Sequence, residues 1–376
     1  MVEKAPTYRP TRAEIDLSAI RHNFFQFRKM AGKPTKILVP VKANAYGHGL
    51  VRIAETLQDC GADYLGTGTI DEAVQLKKCG IKTPVLNLTA ITSPEIEAIF
   101  KYGITQTVPD LNLAGAINQY AKKIKSKAKI HIKVDTGMGR LGIWHKEAIK
   151  FIREIIKLKN LTIEGIFTHF SSADEDMVVT GTQINNFLFL VKDLKNTGLD
   201  IKYKHAANSA AAINYRSCHL NIIRPGIMIY GLYPNKEFKN IISLKPALTL
   251  KSRISYIKDT PAGRRISYSG TYATKKHTRI ATIPIGYGDG YNRLLSNKGS
   301  VLVRGKRAKI AGKICMDQFM VDVGHIKKCR IGDEVVLIGK QGENCITVEE
   351  IAQLCCTIPY EITCNVGARV PRVYLR

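Results

Sequence analysis

One lysine stands where an amine could act as a nucleophile. Lys42 ends the apolar run Ile37-Leu38-Val39-Pro40-Val41 and is followed by Ala43-Asn44-Ala45-Tyr46-Gly47-His48-Gly49. The run reads as a buried strand. A lysine at its end is held by a rigid element and faces a cleft, where loss of hydration disfavours the ammonium form and frees the amine to attack a carbonyl. Tyr46 offers a hydroxyl to an anion, and the glycines let the backbone approach that anion closely. A carbonyl compound that carries a phosphate fits both needs, and pyridoxal 5′-phosphate (PLP) is such a compound. A lone lysine after a strand is more often an ordinary solvated side chain, so the argument needs further residues.

The elements that must position this lysine are legible as an alternation. Strand-like runs at 36–41, 63–66, 84–88, 106–108, 129–134, 164–169, 203–207 and 221–224 are mostly separated by amphipathic segments. Gly61, Gly80 and Gly103 close three of these segments, and Ser93-Pro94-Glu95 opens one with serine as the expected cap. Eight strand-plus-helix units predict a parallel (β/α)8, TIM-like barrel over residues 12–244. An open doubly wound sheet is the rival, but no G-x-G-x-x-G follows the first strand. From about residue 245 short β-rich runs take over, at 247–256, 277–284, 300–303, 319–323 and 334–338, with a helix at 348–355. This predicts a C-terminal, mainly β domain over 245–376, with residues 1–11 packing against it.

A barrel enzyme carries its chemistry at the C-terminal ends of its strands. Candidate residues recur there: Lys42, the string Asp135-Thr136-Gly137-Met138-Gly139-Arg140, His169, Asn208-Ser209 and Arg224-Pro225-Gly226-Ile227. Each has a plainer reading: Arg140 as a surface residue after a turn, His169 as a satisfied core histidine, Ser209 as a helix N-cap, Arg224 as a structural ion-pair partner. Five at one end of one fold make coincidence the weaker account.

Composition narrows the remaining classes. The chain has 376 residues and is 45% hydrophobic, enough for two domains with real cores. Nine cysteines with no C-x-x-C pair fit reduced thiols in the cytoplasm, and no metal-ligand spacing is present. The segment 1–16 has no apolar core of a signal peptide, and no apolar run approaches the roughly 20 residues that span a bilayer. The net charge of +26 is high, but aromatics are only 7%, the lysines are scattered and no nucleic-acid motif accompanies them. A solvated basic surface is the favoured reading, with no nucleic-acid or membrane partner.

The ordered motifs resemble the alanine racemase family across nearly the whole chain. They are residues 41–49, Lys133-Val134-Asp135-Thr136-Gly137-Met138-Gly139-Arg140-Leu141-Gly142, Thr168-His169-Phe170, His205-Ala206-Ala207-Asn208-Ser209-Ala210, residues 224–227, Ser267-Tyr268, residues 285–290, Cys315-Met316-Asp317 and Arg369-Val370-Pro371-Arg372. The resemblance implies a PLP-binding barrel with a C-terminal β domain, in a head-to-tail homodimer whose active sites draw on both chains. Lys42 would hold PLP. Tyr46, Asn208 and Ser209, with the backbone at Ser209, Gly226 and Ile227, would bind around its phosphate, a helix start adding its positive end. Arg224 would face the pyridine nitrogen; a guanidinium does not readily give up a proton, so the ring is a poorer electron sink than beside an acid. His169 would link Arg224 to the catalytic Tyr268.

Racemisation removes a proton from one face of Cα and returns one to the other, so two bases are expected: Lys42 and the Tyr268 of the second chain. Arg140 and Met316 would bind the amino-acid carboxylate. Lys133 matches a lysine often carbamylated in the family, which would orient Arg140. Asp174, Tyr287 and Arg293 match the substrate corridor. Two departures concern the pocket: Ala368 replaces a tyrosine that often precedes Arg-Val-Pro-Arg, and Ser269-Gly270 differs from the commoner glycine-first order. The resemblance implies L-/D-alanine racemisation feeding peptidoglycan. A serine or broad-specificity racemase is the alternative. A fold-related PLP decarboxylase needs no base on both faces, and a single-barrel PLP-binding regulatory protein would lack the domain carrying Tyr268 and Met316.

Overall fold

The computed structural model describes residues 8–376. The first seven residues of the segment expected to pack on the β domain lie outside the described residues. The chain divides into two compact units, one comprising 20–45 and 49–244, the other comprising the residues up to Ala19 together with 46–48 and 245–376.

The first unit is a closed parallel barrel. Its strands are Lys36–Pro40, Tyr64–Thr67, Val85–Asn87, Thr105–Val108, Ala128–Asp135, Leu161–Phe167, Tyr203–His205 and Ile222–Ile223. Each pairs in parallel with the next, and the last returns to the first through Ile222↔Lys36 and Ile223↔Ile37. Helices on the outside and side chains on the inside cover both faces, which is why the first strand is apolar nearly throughout. Helices fill the connections: Leu50–Asp59, Ile70–Lys78, Ile96–Tyr102, Leu111–Lys123, Ala148–Ile156, Met177–Asn196 and Ser209–Asn214. The first of these buries Leu50, Ile53, Ala54 and Leu57, the i, i+3, i+4, i+7 stripe of a helix lying on a sheet. A buried leucine or isoleucine of this kind contributes about 1.5–3 kcal/mol.

Local chemistry sets the helix ends. Thr69 and Asp110 accept backbone N–H bonds from Glu72 and Leu113. Gly103 closes its helix in the left-handed conformation, at φ 62°. The expected serine cap is displaced by one residue. Thr92 precedes the turn Ser93–Glu95, and its backbone N–H and hydroxyl both donate to Glu95 Oε2. The Thr-Ser-Pro-Glu spacing puts glutamate three residues after threonine, the reciprocal arrangement that Ser93 lacks.

The second unit is mainly β. Its larger sheet runs Lys306–Lys309, Ser300–Val303, Glu334–Gln341, Leu248–Arg253, Arg12–Asp16, Arg372–Leu375, with Asn344–Ile346 paired on Glu334–Gln341. A three-stranded sheet joins Tyr256–Thr260, Thr278–Ile283 and Phe319–Asp322. Two features differ from expectation. The strand Arg12–Asp16, placed by the sequence reading at the start of the barrel, lies in this sheet, antiparallel to Leu248–Arg253 and parallel to Arg372–Leu375. The run 247–256 is not one strand. Ile254 donates its N–H to Asp333 and Ser255 donates to Thr282, so two consecutive residues bond to different sheets.

Gly47 shows how tightly this unit is built around the segment after Lys42. Gly47 has φ 83°, and a Cβ there would stand 1.9 Å from the carbonyl oxygen of Thr363. Arg372 Nε donates to the Gly47 carbonyl at 3.0 Å. The variant Gly47→Ala combines a disfavoured dihedral with a backbone clash. It is expected to lose about 1–3 kcal/mol of stability, read as a lower urea midpoint at unchanged m-value.

Candidate active site

The parallel strands put the candidate residues at one end of the barrel. Lys42 follows Lys36–Pro40, His169 follows Leu161–Phe167, Asn208 and Ser209 follow Tyr203–His205, and Arg224 follows Ile222–Ile223. The stretch 136–140 follows Ala128–Asp135, where Asp135 Oδ1 accepts the N–H groups of Gly137 and Met138 and shapes the turn before Arg140.

Lys42 opens an unusual turn. Ala43, Asn44, Ala45 and Tyr46 all have φ between 52° and 55°. Left-handed geometry costs an ordinary L-residue roughly 1–2 kcal/mol, so four in succession must be held by their surroundings. Val41 donates to Gly66, Ala45 to Val41 and Gly49 to Asn44. Glu72 accepts from the N–H groups of Asn44 and Gly68, tying this turn to the end of the neighbouring strand. Gly68 keeps that strand end clear, since a Cβ there would come to 3.2 Å from the Lys42 Cβ.

Arg224 is buried and held by neutral acceptors. Nη1 donates to His205 Nδ1 at 3.0 Å; Nη2 donates to the carbonyls of Thr168 at 2.7 Å and Ala206 at 2.9 Å, with His169 Nδ1 at 3.4 Å. Burial pulls the guanidinium well below its ordinary range, to about 9. His169 is held neutral, well below the usual histidine range, first by lost hydration and then by the charges of Arg224, Arg140, Lys133 and Lys42. Four basic side chains converging on one neutral imidazole make this end of the barrel a place for anions.

Asn208, and not Ser209, caps the helix Ser209–Asn214, its side chain accepting from Ala211 N–H. Ser209 Oγ instead accepts the Gly226 N–H at 2.8 Å, which turns its own hydroxyl hydrogen elsewhere and joins two strand ends. Ile227 begins the 3-10 turn Ile227–Tyr230 and is fully buried. Asp174 lies partly buried before the helix Met177–Asn196, its carbonyl facing Asn235 Nδ2.

The remaining candidates sit in the β unit. Tyr268 is 68% exposed and Met316 53% exposed. With Ser267, Cys315, Asp317 and Gln318 they line one open depression. Ser267 donates its hydroxyl to the Lys313 carbonyl, and Lys313 Nζ donates to Ser269 Oγ, which pins the strained turn that presents Tyr268. Gly288 N–H occupies the Met316 carbonyl at 2.9 Å, so the N–H of Met316 is the backbone group suited to an anion. Tyr287 and Arg293 lie in successive 3-10 turns of the same unit, both exposed, and Ala368 is exposed beside the Arg369–Asp317 ion pair.

Three residues of the barrel strands escaped the sequence reading, His131, Glu164 and Tyr64, as did Glu72 at the start of the helix Ile70–Lys78. A histidine and a glutamate in otherwise apolar strands, Ile130-His131-Ile132 and Ile163-Glu164-Gly165, are the signal that was there to find. Among the described residues no group of three His, Cys, Asp or Glu is placed to hold a metal ion.

The fold class is that of barrel enzymes whose chemistry sits at the C-terminal strand ends, with a mainly β unit appended. Residues 15–234 match the family "Alanine racemase, N-terminal domain" and 247–374 match "Alanine racemase, C-terminal domain". A protein of Halothermothrix orenii called alanine racemase is 46% identical over 367 residues, 97% of each chain. The solved alanine racemase of Clostridium difficile 630 superposes with TM-score 0.93 at 40% identity, covering 99% of this chain and 97% of that one. That of Bacillus anthracis with bound L-Ala-P gives 0.94 at 38% identity, covering 99% and 96%. The chain belongs to the alanine racemase family, isomerases that act on amino acids.

Lys133 yields a direct test of site electrostatics. It is buried, its Nζ donates to the Val134 carbonyl, and burial first, then the charges of Arg224 and Arg140, bring it down to about 7 from 10.5 against the opposing pull of Asp135. Between these values the unfolded chain binds a proton that the folded one does not. Stability therefore rises with pH through this window. In CO2-free buffer the urea midpoint of the protein should climb from pH 7 to 9 relative to Lys133→Met. Parallel pH curves would contradict a neutral buried amine.

Proposed function

We propose that the protein is a PLP-dependent alanine racemase working with two bases, Lys42 and the Tyr268 of a second copy of the chain. The observation that carries the reading is the convergence of Lys42, Lys133, Arg140 and Arg224 on neutral His169 at the strand ends. The residues there fit PLP. Lys42 is an amine on a strand end cleared by Gly68. The linked Ser209 and Gly226, with Asn208, Ile227 and Tyr46, suit the phosphate, and Arg224 suits a ring nitrogen that is to stay unprotonated. When bound, PLP supplies an electrophilic ring that stabilises negative charge at Cα.

The chain's own groups account for the remaining steps. Arg140 and the Met316 N–H bind the substrate carboxylate and fix which faces of Cα meet the bases. Lys42 Nζ takes or returns the proton on one face, Tyr268 Oη on the other. A phenol ordinarily titrates near 10, so Tyr268 needs cationic surroundings to act as a base near neutrality. The Arg224–His169 pair supplies them, with His169 as the hydrogen-bond link to Tyr268. Neutral Lys133 is an amine able to take up CO2, and the resulting anion would pair with Arg140 and orient it. Asp174, Tyr287 and Arg293 line the approach.

A second copy is part of this reading because Tyr268 and Met316 are exposed in the single chain, and a phenol in open water makes a poor stereospecific base. The homodimer gives each site one barrel and the partner's β unit. Nine free cysteines suit the cytoplasm, where D-alanine would enter peptidoglycan synthesis.

The protein with PLP should interconvert L- and D-alanine, followed by circular dichroism. Lys42→Ala should lose the visible absorption band of bound PLP, its fixation by borohydride, and turnover. Mixing inactive Lys42→Ala and Tyr268→Phe chains should restore part of the activity, since one hybrid site holds both bases. No recovery after verified subunit exchange would rule out a shared site.

Ala368 bears on substrate width. Ala368 lacks the bulk of the tyrosine that often stands there in the family, which would leave a wider pocket. One small group changes discrimination by only about 1–3 kcal/mol. Measurable serine racemisation is therefore expected beside dominant alanine turnover, and Ala368→Tyr should lower the serine-to-alanine ratio of kcat/KM. An unchanged ratio would assign the gap to another side chain.

A further inference from the structure

A buried chain of polar side chains runs from Arg224 back through the barrel. Arg224 Nη1 donates to His205 Nδ1 at 3.0 Å; His205 Nε2 and His131 Nδ1 are 2.8 Å apart; His131 Nε2 faces Glu164 Oε2 at 3.8 Å, an electrostatic contact longer than a hydrogen bond. Glu164 is further held by Tyr64, whose hydroxyl donates to Oε2 at 3.1 Å, and by Lys129 Nζ at 3.2 Å from Oε1. Both imidazoles are fully buried.

The backbone is built to place these groups. Pairing between Ala128–Asp135 and Leu161–Phe167 runs Ile130↔Ile163 and then His131↔Gly165, so Glu164 is the extra residue of a β-bulge. A bulge of this kind re-aims one side chain. The next residue, Gly165, leaves room for the His131 ring, because a Cβ there would stand 2.5 Å from it. His205 stacks on Phe167 with centroids 4.7 Å apart and planes at 5°. Tyr64 and Tyr203 pack edge to face around the lower end.

The order of the hydrogen bonds is set from both ends. A guanidinium only donates, which favours a lone pair at His205 Nδ1 and a proton at Nε2. His131 then accepts at Nδ1 and carries its proton at Nε2, aimed at the carboxylate. Each N–H points from Arg224 towards Glu164. The anion at the far end suits this order and opposes the reverse, in which His205 Nδ1–H would face an Arg224 N–H. The His131 N–H, with Lys129, holds Glu164 ionised down to about 2, and loss of hydration keeps both histidines neutral.

We propose that Glu164 is a positioning residue for Arg224: its carboxylate selects the Nε2–H tautomer of His131 and through it that of His205, which fixes the guanidinium that the proposed racemase reaction uses. The role of Arg224 in catalysis rests on that reading; the tautomer selection does not.

The test begins with nitrogen-15 NMR of the histidine rings in cofactor-free protein. His131 and His205, assigned by replacing each in turn, should both be neutral Nε2–H tautomers in the wild type. An Nδ1–H tautomer at either position overturns the proposal whatever reaction the enzyme performs. In Glu164→Gln the two rings should become tautomer mixtures. Glu164→Asp should restore the single form, and Tyr64→Phe, which keeps the charge, should never lose it. With PLP and alanine, Glu164→Gln should lower kcat roughly ten- to a hundredfold, the scale of outer hydrogen-bond partners, with a smaller change in KM and partial recovery in Glu164→Asp. Unchanged tautomers in Glu164→Gln, or a kcat loss without tautomer change, would reduce Glu164 to a structural residue and overturn the inference. Should Glu164→Gln not fold, the wild-type tautomers and Glu164→Asp decide.

Discussion

A guanidinium taken out of water without a carboxylate beside it constrains everything around it. Moving such a charge from solvent costs several kcal/mol even after relaxation, and at Arg224 the compensation comes from neutral acceptors. The carbonyls of Thr168 and Ala206 turn towards it, and His205 and His169 must each offer it a lone pair. Two imidazoles are thereby kept from acting as acids. Burial first, and then repulsion by Arg224, lowers the proton affinity of Lys133 and His169. The buried charge thus reinforces the neutral state that burial imposes on its neighbours.

The second constraint is the backbone after the first strand. Four left-handed residues follow Lys42, and their strain is borne by Glu72 and by the Asn44 side chain, which accepts the Leu50 N–H. Precision here comes from strain that the surrounding hydrogen bonds hold in place.

Much of this was legible in the sequence. The alternation of apolar runs and amphipathic helices carried the closed barrel, since period and length suffice for buried parallel strands. Lys42, His169, Ser209 and Arg224 announced themselves because each stands just after such a run. What stayed hidden depends on pairing between distant segments. The sequence 12–16 alternates like any half-buried strand, and nothing local says that its neighbours are 248–253 and 372–375. Glu164 gave no local sign of its partners, because the bulge that places it arises only on pairing with the distant strand 128–135. Asn208 took the capping role given to Ser209 because both are good caps and only the tertiary bond from Gly226 separates them. For the proposed second subunit, the single chain offers only the exposed side chains of Tyr268 and Met316.

The place of Arg12–Asp16 in its sheet has a consequence for synthesis. This strand leaves the ribosome before any barrel strand, yet its two neighbours, Leu248–Arg253 and Arg372–Leu375, follow only after the whole barrel. Through most of translation it must wait with both edges unpaired, the condition that invites wrong partners. Its composition suits the wait: Arg12, Glu14 and Asp16 alternate with the buried Ala13 and Ile15, so three of its five side chains are charged. In the finished sheet Glu14 is gripped by Arg12 and Lys251. The charges that keep the early strand soluble become the clasp that registers it when its neighbours arrive.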